Sequence, residues 1–159
     1  MNLITLDFET YYAPDFSLTK LTTEEYIKSP QFQVIGVGVK VNDGETVWAS
    51  GDGVKSLFQS LDWENSLLLC HNTLFDGAIL AWHYGHVPHI YLDTLSMARA
   101  IHGVDAGGSL AKLVERYNLG QKGTEVLDAK GLRLEDFHKE QLAQYGAYCK
   151  NDVELTYKL

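Results

Sequence analysis

Two acidic residues, Asp7 and Glu9, lie two positions apart in the β-rich segment NLITLDFE near the start of the chain. In an extended strand, residues two apart point to the same face, so these carboxylates are expected to project together. Neighbouring carboxylates repel one another unless a cation lies between them, and hard divalent cations prefer oxygen ligands. The pair therefore predicts part of a cation site. A solvent-facing acidic strand edge is the alternative, because Asp-x-Glu is a short pattern.

A third acidic residue, Asp76, ends the segment HNTLFD, which follows an apolar run typical of a buried strand. Asp76 would lie in the first turn of the next helix, where the helix dipole favours an anion even without a cation. Asn72 occupies the position of a helix N-cap. The segment therefore allows a structural interpretation, as a capped helix start, and a chemical one, as a further oxygen ligand.

A tyrosine and an aspartate four residues apart, Tyr148 and Asp152, lie in the segment YCKND of the last predicted helix. This spacing places both side chains on one helix face, about one turn apart. A phenol beside a carboxylate–metal site can hold a water molecule for attack on a substrate. The alternative is an amphipathic helix whose aromatic stripe, Tyr145 and Tyr148, packs on the core.

The three segments occur in the order Asp-x-Glu, Asn-x-x-Phe-Asp and Tyr-x-x-x-Asp. In this order they resemble the motifs of the DEDD superfamily of 3′→5′ exonucleases. The chain is most similar to the proofreading domain of bacterial-type (family A) DNA polymerases, especially phage-encoded ones. The segments LITLDFETYY and LCHNTLFDGAIL carry most of this similarity. A sister subclass has a histidine five residues before the last aspartate, where this chain has Ala147, so the tyrosine subclass is favoured.

The resemblance implies a hydrolase that cleaves the terminal phosphodiester of a single-stranded or frayed DNA 3′ end and releases nucleoside 5′-monophosphates. It also implies two divalent ions, Mg²⁺ or Mn²⁺, with Asp7 bridging both and Tyr148 orienting the attacking water. The implied metal ligands are Asp7, Glu9, Asp76 and Asp152. The expected substrate contacts are Asn72, Thr10, Tyr11 and Phe75, whose aromatic members would stack on unpaired bases.

The elements that must position these residues follow from hydrophobic periodicity and turn signals. Strands are predicted at 2–9, 66–72 and 89–94, and a hairpin at 33–50 turns at Asn-Asp-Gly. Helices are predicted near 22–29, 54–61, 74–84, 94–102, 109–117 and 136–158. A hairpin followed by strands that alternate with helices predicts an α/β, ribonuclease-H-like fold, with a mixed five-stranded sheet and helices on both faces. Phe8, which points away from Asp7, is expected in the core.

The charge of the chain is distributed unevenly. Its 159 residues carry a formal net charge of −8, yet residues 112–159 hold 8 basic and 8 acidic residues. The excess lies in residues 1–111, which hold 5 Lys and Arg against 13 Asp and Glu. This distribution disfavours a passive DNA-coating protein but permits a nuclease whose acidic site binds cations. The candidates to meet phosphates are Lys112, Arg116, Lys122, Lys130 and Arg133, although a solvated surface position is the favoured interpretation of any single one of them.

The cellular context is predicted from what the sequence lacks. No window approaches the roughly 18 apolar residues of a membrane span, and no export signal opens the chain. Cys70 and Cys149 match no disulfide or zinc spacing, which favours the cytoplasm, or the bacterial host cytoplasm for a phage protein. The last predicted helix has no stop signal, so residues 1–159 are expected to be an exonuclease domain from a longer DNA polymerase.

Two other functions stay open at this point. The first is an RNA 3′ exonuclease of the same fold, resembling ribonuclease D or oligoribonuclease, because a contact to the 2′-OH has no readable motif. The second is a degenerate, non-catalytic exonuclease-like module. Such modules usually lose one or more carboxylates, and the presence of all four counts against this second alternative.

Overall fold

The computed structural model describes residues 1–124 and 128–159. Its strands are β1 (Asn2–Thr10), β2 (Val34–Val41), β3 (Val47–Ser50), β4 (Ser66–Cys70) and β5 (Ile90–Asp93). Its α-helices are α1 (Thr23–Lys28), α2 (Asp52–Gln59), α3 (Thr73–Tyr84), α4 (Thr94–His102), α5 (Leu110–Tyr117) and α6 (Lys139–Lys158). The predicted elements are therefore present in the predicted order.

The five strands form one mixed sheet in the order β3-β2-β1-β4-β5. β1 pairs antiparallel with β2, and β2 pairs antiparallel with β3, which is the hairpin expected at the Asn-Asp-Gly turn. On its other side β1 pairs parallel with β4, and β4 pairs parallel with β5 after the crossover helix α3. The predicted mixed five-stranded sheet is confirmed.

Side-chain alternation along β1 divides the strand between two packed layers. Phe8 enters the main core and contacts the rings of Phe58 in α2 and Tyr84 in α3, each at a centroid distance of 5.8 Å. Asp7 points to the opposite layer, where its Oδ2 lies 3.7 Å from the sulfur of Cys149 in α6. Helices thus cover both faces of the sheet, and the prediction that Phe8 lies in the core is confirmed.

Local capping sets most helix boundaries. Thr22 caps α1 in a reciprocal capping box with Glu25, and Asp93 caps α4 by accepting the Leu95 N–H at 3.1 Å. Helix α6 begins at Lys139, three residues later than predicted. The reason is that Leu134–Asp136 form a separate 3-10 turn, after which the backbone extends before the helix begins.

The sequence also predicts loops near 103–108 and 118–133. The structure describes the first of them completely and the second in part. Residues 103–108 contain a 3-10 turn, Val104–Ala106, and lead into α5, which Ser109 caps. The loop predicted at 118–133 includes residues 125–127, which lie outside the described residues. Within the described chain, no helix has both the length and the apolar composition needed to cross a membrane.

Candidate active site

Four carboxylates from three elements meet at the second half of β1. Asp7 and Glu9 project from the same side of the strand. Asp76, in the first turn of α3, accepts a hydrogen bond from the Phe8 N–H at 3.0 Å. Asp152 on α6 lies close enough to repel both Asp7 and Glu9 electrostatically. The structure thus brings together all four predicted metal ligands, and their role as ligands is still a prediction.

Glycines let α6 approach the sheet closely at this point. Gly38 on β2 pairs with Asp7, and a Cβ built on Gly38 would lie 2.8 Å from the side chain of Val153. A Cβ on Gly146 of α6 would lie 2.7 Å from the indole of Trp48 on β3. Both distances are shorter than real carbon contacts, so any side chain at either glycine would displace the helix. The carboxylate on α6 reaches β1 because these two side chains are absent.

Asp7 is the electrostatic centre of the cluster. Burial first, and then repulsion from Asp152, raise the pKa of Asp7 to about 7. Burial, followed by repulsion from Asp7, raises the pKa of both Glu9 and Asp76 well above the usual range. Without a cation, these carboxyl groups therefore retain protons at pH values where an isolated carboxyl is charged. A divalent cation would take the place of those protons.

Asp152 differs from the other three carboxylates because a lysine accompanies it. The Lys122 ammonium donates hydrogen bonds to Asp152 Oδ2 and, at 2.7 Å, to the Tyr148 hydroxyl. The Tyr148 hydroxyl also favours the charged form of Asp152, which opposes the effect of burial on the pKa of that carboxyl. Burial first, and then the charge of Asp152, raise the pKa of the Tyr148 hydroxyl. The phenol therefore stays protonated at neutral pH and acts through hydrogen bonds rather than as a base.

The donor set fits a hard divalent cation. Asp152 Oδ1 is buried and has no hydrogen-bond partner among the residues that the structure describes. Buried polar atoms are normally paired, so this oxygen has coordinating capacity that protein donors leave unused. Oxygens of Asp7 and Glu9 lie within 4.8 Å of one another and of the Cys149 sulfur. Carboxylate oxygens in such a group suit Mg²⁺ or Mn²⁺.

Three of the predicted substrate contacts surround one buried tyrosine, Tyr26 of α1. Its hydroxyl lies 2.8 Å from the Thr10 hydroxyl and donates a hydrogen bond to the carbonyl of Tyr11. Its ring centroid lies 6.0 Å from that of Phe75. Thr10, Tyr11 and Phe75 are all half-buried, so each is held in place and keeps an exposed portion beside the carboxylates. Their contact with substrate stays a prediction.

Asn72 occupies the N-cap position of α3, as predicted, but its side chain does not hold the turn. Its backbone is left-handed, with φ 82° and ψ 58°, and its side chain makes no capping hydrogen bond. Asp93 Oδ1 instead accepts the N–H groups of Asn72 and Thr73, at 2.8 Å and 3.3 Å. The turn into α3 is fixed by Asp93, and the substrate contact of Asn72 stays a prediction.

Two residues of α6, Tyr145 and Cys149, make contacts with the carboxylate cluster that were not predicted from the sequence. Tyr145 packs in the core as its aromatic stripe predicted, yet its hydroxyl also interacts with Glu9, since burial and then the charge of Glu9 raise the pKa of this phenol. The buried Cys149 thiol donates to the carbonyl of Asp7 at 3.3 Å. Helical spacing was the available signal, because Tyr145, Cys149 and Asp152 follow an i, i+4, i+7 pattern that defines one face.

The basic residues expected to meet phosphates are in different surroundings. Lys122 lies within the cluster, and the Arg133 guanidinium lies 4.1 Å from the ring centroid of Tyr11. Both are therefore adjacent to predicted site residues. The other three, Lys112, Arg116 and Lys130, are exposed.

A family model described as 3′-5′ exonuclease, and named for DNA polymerase A, matches residues 22–159. The chain belongs to this 3′-5′ exonuclease family. The matched range includes Asp76, Tyr148 and Asp152, whereas Asp7 and Glu9 precede it and join the exonuclease site through the geometry of β1. Comparison with curated protein sequences gives no match.

Solved nuclease structures share the fold of this exonuclease. Brucella melitensis NrnC with bound Mg²⁺ matches at a TM-score of 0.66 and 16% identity, over 98% of this chain and 68% of NrnC. Trypanosoma brucei RNase D in complex with RNA gives 0.64 and 17%, over 98% and 52%. The family B DNA polymerase of Pyrobaculum calidifontis gives 0.62 and 14%, over 99% and 24%. The predicted ribonuclease-H-like fold and metal-dependent 3′-5′ exonuclease class are confirmed.

The metal-free exonuclease is expected to lose stability as pH rises from about 5 to about 8. Asp7 keeps its proton in the folded protein up to about pH 7, whereas the ordinary pKa of an aspartate is 3.8. The folded state therefore binds more protons than the unfolded state in this window, so the free energy of unfolding falls with pH. Thermal unfolding in chelator checks this, because each 1 kcal/mol moves the Tm of such a domain by about 2–4 °C.

Asparagine cannot ionise, so Asp7→Asn should reduce the dependence of the metal-free Tm on pH. Added Mg²⁺ should reverse the slope of the wild-type Tm against pH. Hydrogen bonds lower the pKa of Asp93 and of Glu154, so their contributions to stability are lost only at acidic pH, below the window. Burial lowers the pKa of His71, His83 and His86, so these residues raise stability with pH in the lower part of the window. The effect of the carboxyl group is therefore the difference between wild type and Asp7→Asn, and equal pH slopes of Tm for the two metal-free proteins would contradict the raised pKa of Asp7.

Proposed function

We propose that the chain is a proofreading 3′→5′ exonuclease domain. It hydrolyses the terminal phosphodiester of single-stranded or frayed DNA 3′ ends with two divalent ions, Mg²⁺ or Mn²⁺, and releases nucleoside 5′-monophosphates. The observation that supports it best is the convergence of four carboxylates from β1, α3 and α6 beside a protonated tyrosine. A polymerase domain in the same longer chain is part of this proposal.

Each side chain has a distinct place in the proposed reaction. Bound divalent ions supply an activated water and stabilise the leaving oxygen of an in-line displacement. Asp7 would be the ligand shared by the ions, because it interacts electrostatically with each of the other three carboxylates, Glu9, Asp76 and Asp152. Glu9 and Asp152 would hold the ion nearer the nucleophilic water, and Asp76 the second ion.

Tyr148 would position the attacking water. Its hydroxyl keeps its proton and accepts a hydrogen bond from the Lys122 ammonium, which also contacts Asp152, so it is held beside a predicted metal ligand. A fixed hydroxyl can orient the lone pair of a water toward phosphorus at little entropic cost. The proton released in the reaction must leave through solvent or the buried carboxyl groups, since a phenol that holds its own proton cannot accept another.

The substrate strand must be unpaired for its 3′ end to reach this buried cluster. Tyr11 and Phe75 offer half-buried aromatic faces next to the carboxylates, where stacking on any base is sequence-tolerant. Asn72 and Thr10 would supply polar contacts to the terminal nucleotide. Stacking does not discriminate DNA from RNA, so an RNA 3′ exonuclease is the second candidate. The fold shared with an RNase D bound to RNA favours it.

A cleavage assay on 5′-labelled oligonucleotides tests the proposal. DNA with a single-stranded 3′ extension is expected to shorten stepwise in Mg²⁺ or Mn²⁺ and to stay intact in chelator. Fully paired blunt DNA should shorten more slowly, because its end must fray first. The released product should be a nucleoside 5′-monophosphate.

An RNA oligonucleotide of the same sequence is the matched comparison. Faster shortening of RNA than of DNA would assign the RNA alternative and remove the proofreading role. No shortening of either strand with either ion, by a correctly folded sample, would support the non-catalytic module instead.

A further inference from the structure

Lys122 makes three contacts inside the carboxylate cluster. Its ammonium donates to Asp152 Oδ2 and to the Tyr148 hydroxyl, and it lies 4.6 Å from the centroid of the Tyr148 ring. The side chain of Lys122 is 25% exposed and that of Asp152 only 8% exposed. A positive charge of the protein itself thus occupies a position beside the carboxylate that a metal ion would need.

A second lysine shows the same arrangement away from the site. Lys40 pairs with Glu154 of α6 at 2.9 Å and lies 4.9 Å from the ring centroid of Tyr157. Lys40 also donates to the carbonyl of Gly44 at 2.6 Å, and Thr46 donates to the same Glu154 oxygen. This pair is a complete structural ion pair. It provides a matched reference for Lys122.

The Lys122 pair differs because its carboxylate is left incomplete. Asp152 Oδ1 is buried and lacks a partner within the part of the chain that the structure describes, although Oδ2 receives the ammonium. Asp152 also repels Asp7 and Glu9, whose charges Lys122 partly offsets. One ammonium therefore lowers the repulsion among the carboxylates without satisfying all their oxygens.

A metal ion and this ammonium compete for the same carboxylate. Both are cations, and like charges within about 4–6 Å disfavour one another strongly. An ion bound to Asp152 would lie within that range of the Lys122 Nζ as it is placed in this structure. Metal binding to Asp152 therefore requires the ammonium to move away.

We propose that Lys122 is a tethered counter-cation that neutralises Asp152 in the metal-free enzyme and must be displaced before a divalent ion binds there. This inference rests on the proposed metal site. It predicts that loss of the ammonium strengthens metal binding while weakening the metal-free protein. A lysine with a purely structural role would weaken the protein and leave metal affinity unchanged.

Mn²⁺ binding to the metal-free protein, measured by calorimetry and by the paramagnetic resonance of free Mn²⁺, tests the proposal. Lys122→Met is expected to bind Mn²⁺ about 10-fold more tightly than wild type, because the ammonium no longer repels the bound ion. A like charge at this distance changes the affinity of a carboxylate for a proton by a similar factor, about one pKa unit or more. The metal-free Tm of this variant should be lower than that of wild type. Lys122→Arg keeps the positive charge and should bind Mn²⁺ nearly as wild type does.

Lys40→Met is the control, because it removes an equivalent ion pair at a distance from the cluster. It should lower the Tm without changing the affinity for Mn²⁺. The role of Lys122 would be overturned if folded Lys122→Met bound Mn²⁺ no more tightly than wild type. It would also be overturned if Lys122→Arg bound Mn²⁺ as tightly as Lys122→Met. If wild type binds Mn²⁺ and Asp7→Ala does not, the metal site stands even then. No binding of Mn²⁺ by wild type would overturn both proposals.

Discussion

Asp7→Ala is expected to lower the exonuclease rate by at least about 10³-fold, because a metal-assisted reaction loses several kcal/mol of charge stabilisation with its shared ligand. Asp7 is the carboxylate that the other three surround: it repels Asp152, Glu9 and Asp76. A ligand in that position can reach two ions at once, whereas each of its neighbours can reach one. Its removal therefore disrupts both halves of the proposed site.

The same substitution should leave the metal-free fold intact or slightly more stable. Removing one of four clustered carboxyl groups relieves repulsion, and Asp7 is buried at a cost that alanine does not carry. Rate on single-stranded DNA in Mg²⁺ and Tm in chelator should be measured on one sample. Asp15→Ala, at an exposed position in the loop after β1, should change neither. Near-wild-type activity of Asp7→Ala would remove Asp7 from the mechanism.

Local physics explains why part of this site could be predicted from the sequence. The placement of Asp7 and Glu9 on one face follows from the two-residue period of a strand, and that of Tyr148 and Asp152 from the helical period. Both rules depend only on near neighbours in the chain. Asp93 could also be identified as the N-cap of α4, because capping is a short-range hydrogen bond.

The contacts between distant segments could not be predicted in the same way. Lys122 lies in an irregular segment 30 residues before Asp152, and no periodic pattern specifies which side chain such a segment places in a site. Asp93 accepts the N–H groups of Asn72 and Thr73 at the turn into α3, a contact across 20 residues or more. Long-range pairs are decided by packing of the whole domain rather than by the residues around each partner.

The glycines of β2 are visible in the sequence, but the sequence does not show which element packs against them. The alternation in VIGVGVKV indicates a strand with one face that lacks side chains at its centre, at Gly36 and Gly38. Only the structure identifies α6 as the element that uses this space, because Val153 would collide with any side chain at Gly38. Gly38→Ala should therefore displace Asp152 from Asp7, although neither carboxylate is altered.

Tyr148→Phe is expected to slow turnover on the order of 10²-fold while metal affinity and stability stay near normal, as for loss of a group that positions a reactant. The substitution keeps the ring, and with it the packing against Tyr145 and the contact with Lys122. It removes the hydroxyl, and with it the hydrogen bond that the hydroxyl accepts from the Lys122 ammonium. Single-turnover rates on single-stranded DNA, with Mn²⁺ affinity and Tm from the same preparations, separate the effect on chemistry from an effect on binding.

The choice of control follows from the structure. Tyr145, the other tyrosine of the aromatic stripe, interacts electrostatically with Glu9, so Tyr145→Phe would itself disturb a predicted ligand. Tyr157→Phe is the better control, because Tyr157 lies on the same helix and contacts Lys40 through its ring rather than the cluster. Tyr157→Phe should leave the rate unchanged. Equal single-turnover rates for wild type and Tyr148→Phe would exclude the water-orienting role of Tyr148. The role proposed for the four carboxylates would stand even then, because their convergence does not depend on the phenol.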